Sequence, residues 1–179
     1  IAILGCGTVG GGVAKILLDN QKELADRAGV ELELAGILDL FPSKSAERHG
    51  VPLKYFLGNG KDLTKEEAAQ ITEKIMKDTT IDLVVETIGG SSDYVFNTVK
   101  SVLTNKKHLA TANKALLAKY GKEIFETAKN NGKSVGFEAS VCGAIPIIKG
   151  INECFTGDII ETITGIMNGT SNYILSKMN

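Results

Sequence analysis

The first ten residues, IAILGCGTVG, restrict this chain more than any other stretch. The short apolar run Ile1 to Leu4 predicts a buried strand. It passes directly into Gly5-Cys6-Gly7-Thr8-Val9-Gly10, and apolar residues then recur at helical spacing at Val9, Val13, Ile16, Leu17 and Leu24. In a strand that turns through G-x-G-x-x-G into a helix, each glycine has a task. Gly5 permits the tight turn, Gly7 has no side chain to hold off a pyrophosphate, and Gly10 lets the helix pack closely on the strand. The helix start adds unsatisfied N–H groups and a positive dipole end, both suited to phosphate. Gly5, Gly7, Thr8, Val9 and Gly10 are therefore the expected dinucleotide site. A glycine turn that serves packing alone is the alternative.

A chain of 179 residues holds one full core with a little left over. The formal net charge of −1, without a run of Lys or Arg, provides no field for a nucleic-acid backbone. No apolar stretch approaches the roughly 18 residues of a membrane span. The sequence begins inside a strand, so residues upstream of Ile1 are expected to be missing. Cys6, Cys142 and Cys154 lack C-x-x-C spacing, which suits reduced, semi-buried thiols in a cytoplasmic protein. His49 and His108 have no partner pattern and are read as structural or solvent-facing.

Strands and helices alternate along the chain. Gly29 is a stop for the first helix. Leu32 to Asp39 is the second predicted strand, and Phe41 to Lys61, with its prolines and glycines, is expected to be irregular. Thr64-x-x-Glu67 is a capping box that opens a helix to about Lys77. Ile81 to Thr87 is a strand with a continuous apolar run, as burial on both faces requires. A helix from Ser91 to Thr104, a strand from Lys107 to Thr111, a helix from Asn113 to Asn130 and a strand from Ser134 to Ala139 follow. Ile147, Ile148, Ile151 and Phe155 mark a further helix from about Gly143. The fold class is thus α/β, a Rossmann-like, doubly wound, mostly parallel sheet. From Asp158 to Ile166 the pattern changes to period two, predicting a half-exposed strand. A turn over 167–172 and a helix from Tyr173 come next. Residues 1–155 are read as the dinucleotide-binding domain and 156–179 as the beginning of a second, α+β substrate domain.

Several side chains fall at the carboxyl ends of strands, where open α/β sheets bind ligands. Asp39 is placed to bond the adenosine ribose and favour NAD, but Lys44 and Arg48 could instead hold a 2′-phosphate, so NAD and NADP both stay open. Thr87, before Gly89-Gly90, could approach the cofactor or serve a helix-capping turn. Lys114 is the candidate to stabilise or move charge at a reacting oxygen, against the plainer reading of a solvated lysine at a helix start. Glu138, near exposed backbone carbonyls, suits a hard cation, or else caps the following helix.

Four segments together, GCGTVGGG (5–12), ATANKALLA (110–118), FEASVCGAIPII (137–148) and GIMNGTSNYIL (165–175), resemble the N-terminal part of the homoserine dehydrogenases. The resemblance implies reversible interconversion of homoserine and aspartate semialdehyde with NAD or NADP, and a homodimer when complete. It places the family's motif lysine on Lys114, near the nicotinamide. It places a monovalent cation site, usually sodium, on Glu138, Val141, Gly143 and Ile145. Gly143-Ala144 departs slightly from the family's glycine pair. The family's substrate-binding acids lie beyond Asn179, so this stretch is expected to bind cofactor without turnover. An aspartate dehydrogenase and a non-catalytic nucleotide-sensing module are the rival readings.

Overall fold

The computed structural model describes residues 1–165 and 169–178. Strands β1 (Ala2–Leu4), β2 (Gly36–Leu38), β3 (Leu83–Glu86), β4 (His108–Thr111) and β5 (Val135–Gly136) form a parallel sheet in the order β2-β1-β3-β4-β5. From β1 the chain steps outward to β2. It then crosses back over β1 to β3 and continues to β5. This reversal between β1 and β3 opens a crevice at their carboxyl ends, the place where doubly wound sheets bind ligands. Beyond β2, the site of a further strand is reduced to one bridge between Ile37 and Phe56.

Side-chain alternation along the strands feeds two cores. Ala2, Leu4, Val84 and Leu109 face one core, with α4 (Lys65–Lys77), α5 (Asp93–Thr104) and α6 (Lys114–Asn131) packed on it. Ile3, Ile37 and Val85 face the other, covered by α1 (Thr8–Asp19) and Phe56, with α3 (Pro42–His49) against α1. Among the described residues, side chains of the preceding residues cap three helices. Thr64 and Glu67 form the expected reciprocal box at α4, and those hydrogen bonds hold the Glu67 carboxyl below its ordinary pKa. Ser92 accepts the Val95 N–H at α5, and Asn113 accepts the Leu116 N–H at α6. Lys107 is buried, and its ammonium donates to the carbonyls of Ile81 (2.9 Å) and Asp78. It fastens the entry of β4 to the entry of β3.

Several sequence expectations need correction. The first helix is interrupted at Asn20. A second, α2 (Gln21–Ala28), carries no buried residue, because apolar spacing gives out in QKELADRA. The buried face of α1 is Gly10, Gly11, Ala14 and Leu17, whereas Val9 and Ile16 are half-exposed. Glycine and alanine fill most of the face turned to the sheet, with Leu17 one turn further on, because the helix begins so close to it. The stretch 41–61 is not irregular throughout. Pro42 opens α3 at its first turn, and Leu53–Tyr55 forms a 3-10 turn. A polar helix such as PSKSAERH offers no apolar period to read. β2 and β5 are shorter than expected. After β5 the chain turns through a 3-10 segment at Glu138–Ser140, and the next helix starts at Ile147 and widens to π geometry over Gly150–Cys154. Residues 158–165 form no strand, and Ile159, Ile160 and Ile163 are exposed. Alternation alone forms no strand where no neighbouring strand pairs with it. Ile166, Met167 and Asn168 lie outside the described residues, and the helix expected from Tyr173 already runs from Gly169 to Met178 as α8.

The closest backbone approach is at Gly10. A Cβ there would collide with the Gly5 carbonyl oxygen and lie 2.6 Å from Thr87 Oγ1, whereas one at Gly12 meets nothing within 4 Å. Gly10→Ala should therefore lower stability by about 2 kcal/mol or more through overpacking. Gly12→Ala should be neutral or stabilising by up to ~1 kcal/mol from helix propensity. Urea unfolding of the two variants checks this, and equal midpoints would contradict the close packing.

Candidate functional site

The crevice is built around the start of α1. Its N-cap is Gly7, which supplies no side-chain cap, and the first turn contains no acidic residue. Side chains close the starts of α4, α5 and α6, whereas α2 and α3, like α1, begin without one, so what distinguishes α1 is the glycine cap at the crevice. A Cβ at Gly7 would stand in open space, so the uncapped end faces a void and not protein. Thr8 and Val9 are exposed on this first turn. Gly5 has φ +93°, and a Cβ there would lie 2.8 Å from the Thr87 carbonyl oxygen, so only glycine fits. Thr87 closes the turn from the other side. Its N–H donates to the Leu4 carbonyl (2.9 Å) and its hydroxyl to that of Gly5 (2.7 Å). That hydroxyl proton is already engaged in bracing the turn.

Asp39, at the end of β2, is half-buried beside the same turn. One carboxylate oxygen accepts the Cys6 N–H at 2.7 Å. The other accepts the Phe41 N–H at 2.8 Å and the Ser45 hydroxyl at 3.1 Å. It therefore couples the glycine turn to the start of α3. A carboxylate has about four acceptor positions, so three donors leave room for roughly one more. Lys44 and Arg48 project from α3, with the Lys44 ammonium over the Phe41 ring at 5.2 Å.

At the carboxyl ends of β3 and β4, Glu86 is fully buried. It accepts the Ile88 and Gly89 N–H groups and the Thr111 hydroxyl. Asn113 bonds the Gly90 carbonyl and caps α6, whose first residue is Lys114. The Lys114 side chain is exposed. Sequence reading missed Glu86, Thr111 and Asn113 as site-building residues. The only signal was a carboxylate at the end of an otherwise apolar strand. It also missed Gly11, where a Cβ would strike the His49 ring of α3.

The Glu138 carboxylate accepts the Ile148 N–H at 2.9 Å and the Lys149 N–H at 2.8 Å, so it caps the helix that starts at Ile147. Gly143 lies in a turn with Cys142, both at positive φ, and the Ile145 carbonyl accepts the Ile147 N–H. Val141 donates its N–H to the Glu138 carbonyl. Among the described residues, no three His, Cys, Asp or Glu side chains cluster as a metal site. An ion here would have to combine the Glu138 carboxylate with backbone oxygens. A cavity of about 460 Å³ lies between these segments, lined by Val9, Thr87, Ala112, Phe137, Glu138 and Ile148 among others. It brings the first turn of α1 and the Glu138 turn to one side of the sheet edge. Lys114 and Asp39 do not line it. No helix among the described residues is long and apolar enough to cross a membrane.

Comparison with known proteins gives a consistent result. A model of the NAD-binding domain of homoserine dehydrogenase matches residues 5–138, and a second homoserine dehydrogenase model matches 146–179. The homoserine dehydrogenase of Neisseria gonorrhoeae is 42% identical over 178 residues, covering 99% of this chain and 38% of that protein. The crystal structure of a homoserine dehydrogenase from Thiobacillus denitrificans superposes with a TM-score of 0.80 at 40% identity, covering 99% of this chain and 38% of its own. A hyperthermophilic archaeal homoserine dehydrogenase solved with NADPH shares the fold at 22% identity and a TM-score of 0.62, over 84% of this chain and 46% of its own. The chain thus spans little more than a third of the length of the curated relatives it matches.

The brace between Asp39 and the glycine turn has a measurable consequence at Cys6. The thiol is buried, and burial together with the nearby Asp39 carboxylate pushes it up to about 11. Only about one thiol in a thousand is then ionised at pH 8. The neutral thiol is the form the fold favours. Its contribution to stability is present below the ordinary pKa of 9.0 and lost as pH rises towards 11. With Ellman's reagent at pH 8, the exposed Cys154 should react in the native chain and Cys6 only on unfolding. Rapid modification of Cys6 in the folded protein would contradict the assignment.

Proposed function

We propose that this chain, which belongs to the homoserine dehydrogenase family, is the nucleotide-binding part of an enzyme that interconverts homoserine and aspartate 4-semialdehyde with NAD(P). The observation that carries the cofactor half is the uncapped start of α1, facing open space at Gly7. The N–H groups of the turn from Gly7 to Gly10 would hold the pyrophosphate. Asp39 would offer its remaining acceptor position to the adenosine ribose. Lys44 and Arg48 would receive a 2′-phosphate, so either NAD or NADP is admitted, and one archaeal relative was solved with NADPH.

When bound, the nicotinamide supplies the hydride acceptor or donor. Lys114 would act at the substrate oxygen, at the carboxyl end of β4. In the oxidative direction, the homoserine hydroxyl loses its proton as its carbon loses hydride. The ammonium would stabilise the developing oxyanion or, once deprotonated, accept that proton. Glu138, with the carbonyls of Val141, Gly143 and Ile145, would hold a monovalent cation such as sodium. Each Glu138 oxygen accepts one N–H and keeps a further lone pair. Residues 1–155 form the cofactor domain on this reading. Residues 156–179 begin the substrate domain of a homodimeric enzyme, and the stretch alone binds cofactor without turnover.

Two measurements test the reading. Gly7→Val should weaken NAD(P)H binding at least about tenfold by calorimetry while leaving thermal stability unchanged, because the new side chain enters only the void; unchanged affinity would remove the site. In the full-length enzyme, Lys114→Ala should lower kcat on the order of 10²-fold with cofactor affinity retained. A near-normal kcat would reduce Lys114 to a solvated helix-start lysine.

A further inference from the structure

Glu86 is 0% exposed. Carboxylates are almost never buried so completely without a partner of opposite charge. Here, among the described residues, every donor to it is a neutral dipole. Oε1 accepts the N–H groups of Ile88 (2.9 Å) and Gly89 (3.1 Å) and lies 3.5 Å from Asn113 Nδ2, while Oε2 accepts the Thr111 hydroxyl at 2.6 Å. An apolar residue at the end of β3 would avoid the cost of desolvating a carboxyl group. The carboxylate is therefore retained for what it arranges.

Its donors come from two loops. Ile88 and Gly89 belong to the loop after β3, and Thr111 and Asn113 to the loop after β4. The connections continue outward. Thr111 Oγ1 accepts the Asn113 N–H at 3.0 Å. The Asn113 side chain donates to the Gly90 carbonyl at 2.7 Å and accepts the Leu116 N–H at 3.1 Å. The Thr111 carbonyl accepts the Ser140 hydroxyl at 2.8 Å, reaching the turn after β5. Lys114 is the next residue after Asn113 and the first of α6. Its backbone is thus set by a chain of hydrogen bonds anchored on one buried carboxyl group.

We infer that Glu86 is a positioning residue that acts through Thr111 and Asn113 to fix Lys114 at the sheet edge. It touches neither substrate nor cofactor. The inference rests on the role proposed above for Lys114. One side chain accepts donors from both loops, so the lysine's starting point is set before ligands arrive.

A double-mutant cycle in the full-length enzyme tests this. Glu86→Ala and Lys114→Ala are made singly and together, and kcat, cofactor Kd and melting temperature are measured. If Glu86 works through Lys114, Glu86→Ala lowers kcat at least about tenfold in the parent but less than about twofold in the Lys114→Ala background. Cofactor Kd changes by less than about threefold. Glu86→Gln restores most of kcat, because its amide oxygen still accepts the Ile88 and Gly89 N–H groups. Should Glu86→Ala fail to fold, Thr111→Val carries the same cycle by removing only the linking hydroxyl. Equal losses in both backgrounds would show a general structural role and overturn the inference. A loss in Lys114→Ala with none in Glu86→Ala overturns the positioning role alone. No loss in Lys114→Ala overturns the role of the lysine and this inference with it.

Discussion

The contact between Gly10 and the Gly5 carbonyl leaves no room for a single Cβ, and it fixes where α1 begins. With any side chain at that point the helix would be pushed off the end of β1. Its first turn would then no longer face the crevice between β1 and β3. Thr87 and Asp39 reinforce the contact from either side, one from the end of β3 and the other from the end of β2. The result is a helix start whose N–H groups have no protein cap and whose dipole end faces open space. Cofactor binding, on the proposed reading, is the filling of that gap.

Three carboxylates at the carboxyl edge share a design. Asp39, Glu86 and Glu138 each accept backbone N–H groups from the segment that follows their own strand or turn. Among the described residues, none of them forms an ion pair. Carboxyl oxygens are used here to order loops, each group taking two backbone N–H donors. The edge that must receive a ligand is thereby stiffened without cationic side chains in its interior. The side chains of Lys114, Lys44 and Arg48 stay exposed beside these networks.

Much of this was legible in the sequence, for physical reasons that differ by element. The glycine turn was readable because each glycine answers a separate steric demand, and the Thr64–Glu67 box because its two hydrogen bonds need those residues at that spacing. The alternation of strands and helices was readable from apolar runs. α3 was not, since a polar helix held by Pro42 and packed through Ala46 leaves no periodic trace. The expected strand from Asp158 was misread because alternation describes a half-covered face and does not supply a neighbouring strand. In the site, Lys114 and Glu138 were marked by family resemblance more than by spacing. Glu86 was hidden because an acid at a strand end looks the same whether it is solvated or sealed in the core.

The central claim is that a dinucleotide sits on the open start of α1. An amide NMR titration of this chain with NADPH and NADH tests it most directly, because it reports residue by residue where the ligand lies. The expected result is saturable shifts concentrated at Gly7 to Gly10, with smaller ones at 88–90 and 111–114. Shifts confined to other parts of the surface, such as the loop 57–63, or none at millimolar cofactor, would contradict it.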